Sequence, residues 1–255
     1  MDTLASFFPD GIGLLGGGLL IVASFFTSAL TAAFGVGGGI AMLALLGLFI
    51  PVSALIPIHG AIQVGSNTGR AWQQRAHIVH SIALPFIAGS FVGALLGAFF
   101  VVQLPDAFLK LVLGVFVIMV TWAKMPGMAK LSHAGLVIGS AILAVLSMFV
   151  GATGPLLSSF LAQLIPDNRK ALIATHAAGM TVQHTLKVIV FAVAGFAFGQ
   201  WLPFILLMVV SGYLGTVYGT SLLEKLPEES FRRWFKIGLT LLALNLVREG
   251  VMGLF

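Results

Sequence analysis

The chain alternates long apolar runs with short polar joints, and the lengths of the runs carry the first information. Near-continuous apolar stretches cover 13–34, 82–102, 107–123, 134–150, 202–223 and 231–254. Each is close to the roughly 20 residues with which an α-helix crosses a bilayer. Two further stretches, 53–68 and 171–198, are apolar but carry polar residues at helical spacing. Two runs, 40–50 and 156–165, fall short of the roughly 17–25 residues that span hydrocarbon, and each follows a glycine-rich break. The first break is Phe34, Gly35, Val36, Gly37, Gly38, Gly39. The second is Phe149, Val150, Gly151, Ala152, Thr153, Gly154, Pro155. A helix interrupted inside lipid leaves backbone groups without partners, which is costly unless they line a cavity or hold a ligand. Each break is therefore expected to be the tip of a hairpin that enters and leaves on one side. A pair of kinked but spanning helices is the competing reading.

Composition sets the class. Hydrophobic residues make up 59% of the chain and charged residues 8%, against about a quarter charged in soluble domains. There is no polar block long enough for a separate soluble domain, and the first residues lack the basic region of a cleavable signal peptide. The absence of cysteine excludes disulfides and thiolate-bound metals. The formal net charge of +5 comes from Lys and Arg dispersed between apolar segments, which is not a nucleic-acid surface. The expectation is an all-α polytopic membrane protein with a single transmembrane domain. It divides into repeats at 1–127 and 128–255, each a broken-helix hairpin plus three spanning helices.

Charge in the joints orients this plan. With the 70–80 connection in the cytoplasm, Arg70, Arg75, Lys124, Lys130, Arg169, Lys170, Lys225, Arg232, Arg233 and Lys236 fall on one side. Only Lys110 and Arg248 fall on the other. This is a strong positive-inside bias. It makes the first hairpin enter from outside and the second from inside, so that the halves are inverted and both termini are extracytoplasmic. Trp72, Trp122, Trp201 and Trp234 are expected near span ends, as in an aromatic belt.

The halves also correspond residue by residue. A shift of 117 overlays His59 on His176, Ser66 on Gln183, Asn67 on His184, Thr68 on Thr185 and Arg70 on Lys187. In each half the steps from the His place a polar group and a cation on one helical face. The short runs begin directly after the glycines, so their amide-bearing, partly positive N-termini point inward. Glycine lets a ligand approach the backbone, Pro155 suits a first helical position, and Thr153 suits a cap or a ligand-facing hydroxyl. The candidate site is thus Gly37, Gly38, Gly39, Gly151, Thr153, Gly154 and Pro155, flanked by His59, Asn67, Arg70, His176, Gln183, His184 and Lys187. Its guest is a small anion, because no apolar span contains a carboxylate, whereas Lys187 lies well inside 171–198.

Blander readings stand beside each element. The glycines serve close helix packing, Lys187 and Arg70 snorkel to headgroups, and the histidines are neutral hydrogen-bonded groups or proton carriers. His77, His80 and His133 are read as interfacial. Glycine stripes at Gly89, Gly93, Gly97 and at Gly212, Gly215, Gly219 fit helix contacts within a protomer or across a homodimer. No cofactor or metal set is evident, and the breaks hold no serine with a positioned base, so an enzyme is not expected.

The paired motifs (Gly35, Val36, Gly37, Gly38, Gly39 and Gly151, Ala152, Thr153, Gly154, Pro155), the turns marked by Pro51 and Pro166, and Ala174-Thr175-His176 opening the second polar span resemble the TauE/SafE family over nearly the whole length. Ala152 and Thr153 depart from a more glycine-rich second motif, and 166–170 is unusually polar. The resemblance implies a secondary transporter that exports sulfite or a short organosulfonate such as sulfoacetate across a bacterial inner membrane. A passive channel, or a carrier of another small organic anion, is the alternative. A lipid-binding or assembly subunit that transports nothing is a further rival.

Overall fold

The computed structural model describes residues 8, 12–35, 37–99, 105–122, 133–222 and 228–254. Val36, Lys124, Lys130, Lys225, Glu224, Asp2 and Asp10 lie outside them, as do the side chains of Glu228, Glu229, Arg232 and Trp234. The described residues form helices and no strand: α1 (Gly13–Phe34), α2 (Gly38–Leu46), α3 (Val52–Gln73), α4 (His80–Ala98), α5 (Asp106–Trp122), α6 (His133–Val150), α7 (Gly154–Leu164), α8 (Arg169–Val193), α9 (Leu202–Leu222) and α10 (Glu228–Met252), with short 3-10 turns at Arg75–His77 and Phe198–Trp201. The all-α polytopic membrane fold expected from the pattern is the one observed. Four helical segments, α1, α4, α6 and Phe198–Ser221, are long and apolar enough to cross a membrane. The outward sides of these helices carry exposed Leu15, Phe26, Leu84, Leu95, Ile138 and Val210, a surface suited to lipid.

Both breaks fold their chains back. Gly35 ends α1 in the left-handed region (φ 82), and Gly151 follows α6 in the same conformation (φ 75). A Cβ is strained at such angles, which is why glycine stands there. Down the first hairpin Gly38 lies against Thr27 and Thr31, Met42 against Thr27, and Phe49 against Gly16. Down the second, Phe160 reaches back to Gly139. With 9 and 11 residues, α2 and α7 are roughly 14–17 Å long, about half the hydrocarbon thickness.

Small residues hold the helices together. α1 runs parallel to α9, where a Cβ on Gly215 would stand 2.0 Å from Phe25 O and one on Gly219 2.1 Å from Ala29 O. α4 runs parallel to α6 with the same device: Gly89 on Val137 O and Gly93 on Ala141 O. Both glycine stripes are thus used inside the protomer. Exchanging each first-half helix for its second-half counterpart turns the α1–α9 contact into α6–α4 and α3–α9 into α8–α4. The counterparts α3 and α8 pack on each other, as do α5 and α10. They run in opposite senses. His59 faces His184 across 5.6 Å between ring centres, while the residues following α3 meet the start of α8 through Val79 N–H to Thr175 Oγ1. Lys110 Nζ reaches Glu249 Oε2 at 2.6 Å, and Trp122 Nε1 donates to Thr240 at the far end of the pair.

One expectation needs correction. α3 continues past Thr68 to Gln73, so Arg70 belongs to the helix and is buried instead of marking a polar connection. Trp201 stands directly before α9, at a span end as expected, and is buried against the protein. Trp72 and Trp122 are exposed, with Arg75 and Lys236 over their rings.

A Cβ on Gly38 would fall 1.7 Å from Thr27 O, whereas one on Gly18 meets nothing within 4 Å. Overpacking against backbone costs about 1–3 kcal/mol or more. Gly38→Ala and Gly215→Ala should each lower the melting temperature of the purified protein by several degrees, and Gly18→Ala should leave it unchanged. Thermal unfolding in detergent measures the contrast.

Candidate functional site

α3 and α8 cross between the two breaks and line a small, partly open cavity there. The breaks form two of its walls, through Gly37, Gly39 and Ile40 on one side and Ala152, Gly154 and Pro155 on the other. α3 contributes His59, Gln63, Asn67 and Arg70; α8 contributes His176, Met180 and His184; Thr31 of α1 completes the lining. The helical spacing read from the sequence explains the convergence. His59, Gln63, Asn67 and Arg70 recur every three or four residues and share one face of α3, as His176, Met180 and His184 share one face of α8.

The two halves hold their breaks alike. His59 Nε2 donates to Gly39 O at 2.9 Å, and His176 Nε2 donates to Gly154 O at 3.0 Å. A carbonyl only accepts, so Nε2 carries the hydrogen in both rings. Each Nδ1 is buried without a partner.

Along α3 the polar groups form a chain. Asn67 Nδ2 donates to Gln63 O at 2.8 Å and to Gln63 Oε1 at 3.1 Å, and its Oδ1 accepts from Arg70 Nη2. That leaves Arg70 Nε and Nη1 buried with no partner, in a side chain only 1% exposed. The ion pair Lys110–Glu249 lies elsewhere and does not involve Arg70. Asp106 and Asp167 are exposed. A guanidinium enclosed in this way without a carboxylate is an uncompensated charge, and such a charge strongly favours an anionic partner.

The structure brings together Gly37, Gly39, Gly154, Pro155, His59, Asn67, Arg70, His176 and His184 from the predicted set, and keeps the other five away from the cavity lining. Gly38 is pressed on the backbone of α1, where it serves close packing. Gly151 supplies its carbonyl to Lys187 Nζ at 2.6 Å, so the buried lysine caps the end of α6 and does not face the cavity. Thr153 makes no cap bond to α7; its hydroxyl donates to Gln183 Oε1 at 3.4 Å. Gln183 in turn donates to Ser90 Oγ and Ser140 O, tying α8 to α4 and α6. Pro155 occupies the second helical position of α7, not the first.

Thr31, Ile40, Gln63, Ala152 and Met180 also line the cavity and were not predicted. Gln63 lies one turn from both His59 and Asn67, so the polar stripe already pointed at it. Thr31 ends a helix-spaced series, Ser24, Thr27, Ser28 and Thr31, on the buried face of α1. Among the described residues no group of His, Asp and Glu is placed to hold a metal ion.

The family model for the sulfite exporter TauE/SafE matches residues 20–246, a range that contains both breaks and every lining residue. No curated protein and no solved structure matches the chain. A match over nearly the whole length, on a multi-pass helical membrane fold, means that the protein belongs to the sulfite exporter TauE/SafE family, whose members carry sulfite and related sulfur anions across membranes.

Proposed function

We propose that the protein is a secondary transporter that exports a small sulfur oxyanion, sulfite or a short organosulfonate such as sulfoacetate, from the cytoplasm. The anion binds in the cavity between the breaks near the middle of the bilayer. The observation that carries this reading is the pair of unpartnered guanidinium nitrogens of buried Arg70, set beside two helix starts. A sulfonate has three oxygens. One accepts from an unpartnered N–H of Arg70, and the others face the partly positive N-termini of α2 and α7.

The halves are read as inverted repeats, supported by the opposed directions of α3 against α8 and of α5 against α10. In this arrangement the repeats move against each other and expose the site alternately, the behaviour common to transporters of inverted design. The charge bias in the joints puts the end of α3 with Arg75 and His77 in the cytoplasm and both termini outside it. The compartment is a bacterial inner membrane.

Lys187 acts on the break and not on the anion, and this separates the two buried cations experimentally. Arg70→Met should abolish the thermal stabilisation that sulfite or sulfoacetate gives the wild type. A hydrogen bond to a charged group contributes about 1.5–3 kcal/mol, so affinity should fall roughly 10- to 150-fold. The unliganded protein should melt no lower than the wild type, because an uncompensated buried charge has been removed. Lys187→Met should instead lower the melting temperature without ligand, since Gly151 O loses its donor. Retained stabilisation in Arg70→Met would remove the guanidinium from the site.

Reconstituted into liposomes, the protein should show saturable sulfoacetate counterflow and no single-channel current. Currents without counterflow would make it a channel. The chain has no cysteine, so single-cysteine variants report orientation directly. In intact cells an impermeant thiol reagent should modify Asp106→Cys and spare His77→Cys.

A further inference from the structure

The two halves match closely at the breaks but not along the routes that lead away from them. Shifted by 117 residues, Arg70, Gln73 and Gln74 of the first half correspond to Lys187, Val190 and Phe191 of the second. A second correspondence comes from packing. Gly215 and Gly219 of α9 sit on the backbone of α1 as Gly93 and Gly97 of α4 sit on α6. In that register Thr216 and Thr220 of α9 match Ala94 and Ala98 of α4.

On the first-half side the groups are polar and underused. Both amide atoms of Gln74 are buried without a partner, as are Gln73 Nε2 and Thr216 Oγ1. Thr220 Oγ1 reaches Gln73 Oε1 at only 3.5 Å. Together with Arg70 Nε and Nη1, these atoms follow the last turns of α3 and of α9 from the cavity toward the turn at Arg75–His77. Buried polar groups in folded proteins are almost always hydrogen-bonded, so a run of unpartnered ones marks a place for water or a polar solute. Where the run ends, Arg75, Arg169 and Lys170 are exposed. That basic rim draws anions toward it.

The second-half side is more apolar, with Ser147 Oγ buried there without a partner. Ala94, Met148 and Leu186 are buried together, with Phe149, Val190 and Phe191 packed on them. The cation of this side, Lys187, is tied to Gly151 O. No donor on this side corresponds to Gln74 or to Thr216.

Resting on the anion site described above, the geometry points to an access route. The anion passes between the cavity and the basic face along Arg70, Gln74, Gln73, Thr216 and Thr220, exchanging hydrogen bonds from one to the next. The matching path past Lys187 toward the opposite face is shut in this state by an apolar plug built around Phe149, Leu186 and Phe191. Gln74 and Phe191 are therefore the counterpart residues that make one path wet and the other dry.

The absence of cysteine makes the test clean. Single cysteines are introduced as Gln74→Cys, Thr216→Cys, Ala94→Cys and Phe191→Cys in the full-length protein, purified in detergent so that both faces are open. The probe is a sulfonated maleimide, itself an anion, and denatured samples confirm that each thiol reacts. The expected result is labelling of Gln74→Cys and Thr216→Cys at least 10-fold faster than Ala94→Cys and Phe191→Cys. Sulfoacetate should slow the two fast positions and leave an exposed control, His77→Cys, unaffected. Equal rates on the two sides, faster labelling of the plug, or no protection by sulfoacetate where it stabilises the protein would overturn the route. Thr216→Cys carries the same reading if Gln74→Cys does not fold.

Exchanging the counterparts gives an independent arm. Gln74→Phe should cut sulfoacetate transport in liposomes at least 10-fold while keeping the stabilisation that the anion gives the purified protein, because the binding cavity is untouched. Unchanged transport in that variant would overturn the route. If no sulfonate or sulfite stabilises the wild type, it is the anion-binding reading that fails. The labelling contrast between Gln74→Cys and Phe191→Cys then still decides whether the polar path exists.

Discussion

The structure depends on how a membrane protein satisfies backbone that is not in a continuous helix. Lipid offers no hydrogen bonds, and each unsatisfied group costs several kcal/mol. Four carbonyls at the breaks receive side-chain donors. Arg169 Nη2 reaches Ala33 O at 2.8 Å, Lys187 Nζ reaches Gly151 O at 2.6 Å, and His59 and His176 take Gly39 O and Gly154 O. The two cations meet the C-terminal ends of α1 and α6, where the helix dipole is negative and a positive charge is favoured. With these carbonyls held by protein, the amide-bearing starts of α2 and α7 are left to face the cavity. The breaks are fixed from behind and open in front, which is the requirement for a backbone anion site.

Three of those four donors come from α8. Arg169, His176 and Lys187 lie on one helix and touch both breaks, whereas α3 contributes His59 alone. The stripe of α3 is thereby released for the cavity. Asn67 and Gln63 bind each other and one arm of Arg70, so the guanidinium is held in place without being neutralised. Two residues at equivalent positions in the halves have come to do different work. Lys187 meets a helix end, and Arg70 is left with two buried nitrogens that have no partner.

The apolar runs and their lengths made the helices legible from the chain alone. Gly13–Phe34 begins and ends where the pattern placed it, α6 and α9 depart by one residue at one end, and α5 by one residue at each end. Two short runs after glycines marked the folded-back helices, because so few apolar residues do not cross the hydrocarbon by themselves. What stayed hidden was direction. The pattern says that Gly37, Gly38 and Gly39 are close to something. Only the packing tells that Gly38 meets the carbonyl of Thr27 while its neighbours face the cavity. Lys187 was found by its depth in an apolar span, but depth does not reveal whether a cation turns to a ligand or to a carbonyl. Gln63 and Met180 lie within the helical stripes but carry neither charge nor imidazole to set them apart, and Thr31 ends a helix whose run is otherwise largely apolar.

The correspondence between the halves is most informative where it fails. Matching glycines, histidines and helix contacts describe a scaffold that would serve any small anion equally from either end. The substitutions across it give the cavity and its approaches an orientation: Gln63 against Met180, Arg70 against Lys187, Gln74 against Phe191. On α1 the buried face carries Ser24, Thr27, Ser28 and Thr31, and Ser28 reaches Ser66 beside the cavity stripe. The equivalent face of α6 keeps only Ser140 and Ser147 among apolar neighbours such as Leu143 and Ala144. Polar groups in a lipid-embedded protein are costly unless used, so their accumulation on one half is not neutral variation on a repeat. A symmetric frame supplies two equivalent ways out of the centre. On the proposed reading, an asymmetric lining decides which of them is hydrated first, and with it the side from which the anion is drawn in.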